Sequence, residues 1–142
     1  MTDYTPTPLI LDATVLSELA RGDAGTIGLV QSFDADGQSM VVSALAITWV
    51  LVDARTEEAA DAMHGLAAME HVTVAPLKDA EQAATLAEFV VATGQEIWDA
   101  HVAAIADVSV CPILTFDAAK WAQPSSTLND PLHVIEIRDP EV

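Results

Sequence analysis

The sequence predicts an α/β domain with a mostly parallel central sheet of about five strands, covered by helices on both faces. Three observations point there. Short apolar runs alternate with longer helix-patterned segments along the chain. Those runs lack polar alternation, as strands buried on both faces do. The length of 142 residues, 51% of them hydrophobic, suits one domain with a real core and leaves no room for a second.

The elements follow in order. Residues 1–8, MTDYTPTP, read as an irregular arm. Leu9, Ile10 and Leu11 form a short apolar strand that ends in Asp12. A helix is expected over 14–20, stopped by Arg21-Gly22-Asp23, and a second one, capped by Thr26, reaches Phe33. Asp34-Ala35-Asp36-Gly37 reads as a turn, and Met40-Val41-Val42 as a buried strand. Residues 44–55 are apolar throughout and too long for one strand, so they read as a buried helix. Thr56-Glu57-Glu58 opens the next helix, with acids near its positive end, and Val72-Thr73-Val74 is a third strand. In the following helix Ala80, Ala83, Ala84, Ala87, Val90 and Val91 share one face, taken as the apolar one, and Gly94 caps the end. Another helix starts near Glu96 and runs through Asp99 to Ala106. Residues 112–115 are the fourth strand, followed by Asp117 and a short helical turn to Trp121. Residues 123–131 read as a loop, and 133–137 as a last strand at the edge of the sheet.

Composition excludes several classes. The longest apolar stretch, from Met40 to Val52, is too short to cross a bilayer. The N-terminus carries Asp3 and no early base, unlike a signal peptide, so a cytoplasmic protein without membrane attachment is expected. The single cysteine, Cys111, lies in an apolar segment and reads as a small buried hydrophobe. The four histidines show no zinc spacing, and no Gly-rich phosphate loop or nucleophile elbow occurs. Trp49, Trp98 and Trp121 read as core or interface residues. Twenty-two acids against five bases give a formal charge of −17, so generic nucleic-acid binding should be weak. The same charge favours a basic protein partner, or simply keeps the chain soluble.

Chemistry is expected beyond the carboxyl ends of the strands, where open parallel sheets bind ligands. Asp12 follows the first strand there and Asp117 the fourth. Each could equally cap the helix after it. Asp99, near the start of a helix, could join them or merely complement that helix's dipole. Three converging carboxylates repel one another unless a dication holds them, and oxygen ligands suit Mg2+ or Mn2+.

At this point the residues resemble the PIN-domain family, which includes the VapC-type toxin ribonucleases of bacteria. LILDATVLSELARGD resembles the family's first strand, first acid and first helix. WDAHVAAIADVSVCPILTFDAAKW resembles its later acid, helix, strand and last acid. The element order matches from Leu9 to Ile137, so the resemblance implies one PIN-like three-layer domain over 1–142. It also implies a Mg2+- or Mn2+-dependent endoribonuclease, the toxin of a toxin–antitoxin pair, with an antitoxin-like partner, an RNA substrate and often a homodimer. Asp12, Asp99 and Asp117 match metal-site acids that would hold one or two weakly bound ions, and Thr14 and Thr115 match accompanying hydroxyl positions. The departure is the fourth acid, a Glu in the helix after the second strand, where Trp49 stands. Asp53, one turn later, either substitutes for it in part or is a solvated helix-end charge. Two functions therefore stand: a nuclease with an incomplete acidic site, or a degenerate, inactive PIN-like domain that acts through protein contacts.

Overall fold

A computed structural model describes residues 7–138. Residues 1–6 of the expected arm lie outside the described residues, and Thr7 and Pro8 are irregular. Five strands form one sheet: β1 (Leu9–Leu11), β2 (Met40–Ser43), β3 (Val72–Ala75), β4 (Ile113–Thr115) and β5 (Val134–Glu136). Their spatial order is β3-β2-β1-β4-β5, and every pairing is parallel. In register, Ile10 lies opposite Val41 on one side and Ile113 on the other. The chain runs outward from β1 to β3, then returns to β4 on the other flank of β1. The crevice beyond β1 and β4 is therefore the switch point at which such sheets bind ligands.

Among the described residues there are seven α-helices: α1 (Ala13–Ala20), α2 (Ala24–Ala35), α3 (Ala44–Ala54), α4 (Glu57–Ala67), α5 (Ala80–Thr93), α6 (Ile97–Ser109) and α7 (Ala122–Ser126), with a 3-10 turn at Ala118–Trp121. Helix α1 packs on α4 and α5 on α6, and the general right-handedness of parallel crossovers assigns these two pairs to opposite faces of the sheet. Helix α3 leaves the carboxyl end of β2 and touches both α1 and α6. Ile10, Leu11, Leu16, Met40, Val42, Val102 and Ile113 are sealed in the core between these layers. Cys111 is buried as expected.

Local sequence explains the boundaries. Asp12, Asp23, Ser43, Thr56 and Asp79 each cap a helix through the side chain. For α2 the cap is Asp23, not the expected Thr26: the Asp23 carboxylate accepts from the Thr26 N–H at 2.9 Å and from its hydroxyl at 2.7 Å. The helix then runs past Phe33 to Ala35 and stops at Gly37, which is left-handed at φ 77°.

Two further expectations fail. On the expected face of α5, Ala80, Ala83, Ala84, Ala87 and Val91 are exposed and Val90 alone is half-buried; Leu86 and Thr93 are the buried positions, with Phe89 half-buried. Alanines gain little by burial, so the larger side chains turn the helix toward the core. Residues 123–131 are not all loop either. Helix α7 occupies Ala122–Ser126, where the Ser126 and Thr127 hydroxyls bond back to the carbonyls of Gln123 and Pro124.

Candidate functional site

Asp12, directly after β1, is wholly buried and caps α1. Its Oδ1 accepts from the Thr14 N–H at 3.0 Å, the Val15 N–H at 3.2 Å and the Thr14 hydroxyl. Its Oδ2 accepts from the Trp121 indole N–H at 3.1 Å and faces the Lys120 ammonium at 3.5 Å. The two expected threonines do converge here. Thr14 Oγ1 gives its only proton to Asp12, so the Thr115 hydroxyl, 3.2 Å away, must be the donor between the two threonines. Thr14 Oγ1 also accepts from the Phe116 N–H at 2.9 Å, and Thr115 Oγ1 from the Asp117 N–H at 3.0 Å. This hydroxyl relay ties the start of α1 to the end of β4.

Asp99, in the first turn of α6, reaches the same place. Its Oδ1 accepts from Lys120 Nζ at 3.2 Å. Burial pushes the Asp99 carboxyl above its ordinary range; the Lys120 ammonium opposes this, and Asp12 and Glu96 add to it. Lys120 comes from the 3-10 turn and lies between the two carboxylates, with its side chain 24% exposed. Its ammonium is also 5.2 Å from the centroid of the Trp121 ring. Glu136 of β5 holds that turn in place, accepting from the Ala118 N–H at 3.0 Å.

The carboxylates of the other expected residues form no hydrogen bond or ion pair with this cluster. Asp117 is exposed and does not cap the turn it precedes. Asp53 is exposed and lines a cleft with Ser17, Arg21, Val50 and Glu58. It is ten residues beyond the Ser43 cap, roughly 15 Å along the axis of α3. Trp49 stacks on Trp98, the neighbour of Asp99, with centroids 5.2 Å apart and planes 20° from parallel. An indole pair thus stands where the resemblance implied a fourth acid.

With Lys120 in place, these residues do not fit the divalent ion that the resemblance implied. Both oxygens of Asp12 already take protein donors, and Asp99 takes Lys120. Among the described residues no three Asp, Glu, His or Cys side chains come close enough to share an ion. An ammonium and a dication about 4 Å apart would repel by roughly 8 kcal/mol at an effective dielectric near 20. Ion and ammonium therefore exclude each other from this position.

Sequence reasoning missed Lys120, Trp121 and Glu136 as members of this site. It also missed a buried pair beside it. Ser43 Oγ accepts from the Leu45 and Ala46 N–H groups, both at 3.1 Å, so its own proton goes to His101 Nδ1 at 2.6 Å. His101 is then neutral with its proton on Nε2, and burial holds its pKa below the ordinary value.

The chain matches no family model and no curated protein. Its fold is nevertheless the VapC-like PIN-domain fold. It is similar to a chain of VapBC2 from Rickettsia felis, solved bound to a DNA fragment from the promoter. There the TM-score is 0.62 at 8% identity, over 92% of this chain and 99% of that one. VapC20 from Mycobacterium tuberculosis, a toxin that cleaves the sarcin–ricin loop, gives 0.59 at 17% identity over 79% and 92%. FitAcB from Neisseria gonorrhoeae gives 0.53 at 15% identity over 90% and 96%. At such identities the likeness is one of fold.

Proposed function

We propose that this chain is a VapC-like PIN domain that acts by binding an antitoxin-like polypeptide and does not hydrolyse RNA. The observation that carries the reading is Lys120, which lies between Asp12 and Asp99 where a dication would have to sit. The Trp49–Trp98 stack in place of a fourth acid supports it. VapBC2 is a complex, which supports a partner here, and a formal charge of −17 favours one with a basic surface. The second reading is the metal-dependent ribonuclease, which the likeness to a sarcin–ricin-loop-cleaving toxin favours. That reading requires Lys120 to leave its two carboxylates.

The experiment is co-expression of the tagged chain with the product of the adjacent reading frame. The expected result is a stable complex at low salt that loosens as salt rises, because a basic partner would be held largely by charge. A chain that elutes alone at every salt concentration, and degrades single-stranded RNA when Mn2+ is added, contradicts the proposal and supports the second reading.

A further inference from the structure

We infer that Lys120 is the resident cation of this sheet edge: its ammonium stands in for a metal ion, holds the Asp12 and Asp99 carboxylates together, and masks a latent dication site. Three separate elements converge on this point. Asp12 comes from the end of β1, Asp99 from the first turn of α6, and Lys120 from the 3-10 turn after β4. The ammonium lies 3.5 Å from Asp12 Oδ2 and 3.2 Å from Asp99 Oδ1, so one donor group spans two chain segments 87 positions apart in sequence (99 − 12).

The surroundings favour an ammonium over an ion. Trp121, only 1% exposed, gives its indole N–H to the same Asp12 oxygen and offers its ring to Nζ. A dication bound to Oδ2 would have to share that oxygen with the indole proton. A lysine needs neither six ligands nor bound water, and a π face suits it. Two carboxylates left without Lys120 would repel each other, which is the condition under which a pair of acids takes up a dication.

The inference rests on the metal-free reading above, and the probe is Mn2+ alone, so RNA and partner play no part. Backbone amide resonances are followed by NMR as submillimolar Mn2+ is added, and thermal unfolding is compared in EDTA and in Mn2+. For the wild type, the amides around Asp12, Asp99 and Lys120 should not broaden selectively, and the midpoint should not move. Lys120→Met should unfold at lower temperature in EDTA and recover in Mn2+. It should broaden selectively at Asp12 and Asp99, with Mn2+ affinity more than about tenfold above wild type. Adding Asp99→Asn to it should abolish that gain. Selective broadening of the wild type at this edge overturns the inference. So does a folded Lys120→Met that responds to Mn2+ no better than wild type. Should that variant fail to fold in either condition, the wild-type titration decides alone. Selective Mn2+ binding by a wild type that cuts no RNA sinks this inference only; RNA cleavage without Mn2+ at this edge sinks only the proposed function.

Discussion

Asp12 is the residue on which this end of the molecule depends. Truncating it to alanine would strand the α1 N–H groups, the Trp121 indole and the Lys120 ammonium together. Breaking a buried charge pair from one side costs about 3–5 kcal/mol, so Asp12→Ala should lower the urea midpoint sharply, provided the variant folds. Trp49→Glu is expected to gain no Mn2+ affinity by itself, because Lys120 still lies between the acids. Combined with Lys120→Met it should gain, and calorimetric titration of both variants tells the two apart. His101 gives a pH dependence. Its folded pKa is depressed below the ordinary 6.5, so it contributes stability above that value and loses it as pH falls. Urea midpoints of the wild type should therefore fall more steeply from about pH 7.5 to about pH 5.5 than those of His101→Gln. The positions of Asp12 and Asp99 were legible because an acid after a strand or at a helix start has few places to go. Lys120 was not. A four-carbon stem has no preferred direction in sequence, and only the tight 3-10 turn aims it back at Asp99.

At the scale of elements, alternation of apolar runs and helix patterns revealed all five strands and the main helices, because burial on both faces leaves a continuous apolar signal. The face of α5 was misread because many alanines define a face without giving it much area to bury. Helix α7 was missed because its Gln-Pro-Ser-Ser stretch carries turn chemistry; the Ser126 and Thr127 hydroxyls stabilise it locally. One helix end is strained. Val110 closes α6 in the left-handed region at φ 53°, a conformation that β-branched residues resist, and its side chain is 69% exposed. Val110→Gly should relieve more than it loses and raise stability by up to ~1 kcal/mol, read as a higher urea midpoint with unchanged slope.

Across the whole molecule, the dominant fact is charge. Five bases cannot offset twenty-two acids, so affinity for arbitrary RNA should be low and should fall further with salt. Among the described residues, no helix is long and apolar enough to cross a membrane. The parallel sheet and its switch point put Asp12 and Asp99 beyond the carboxyl ends of the strands, with Lys120 between the two acids and the Trp49–Trp98 stack next to Asp99 in sequence. The measurement that tests this most directly is digestion of a labelled single-stranded RNA by the purified wild type, with and without excess Mn2+, beside Asp12→Asn and Trp49→Glu/Lys120→Met. The wild type is expected to leave the RNA intact in every condition, at the level of the Asp12→Asn variant. Mn2+-dependent cleavage by the wild type that Asp12→Asn abolishes would show that Lys120 yields to a metal ion and that the domain is a working ribonuclease.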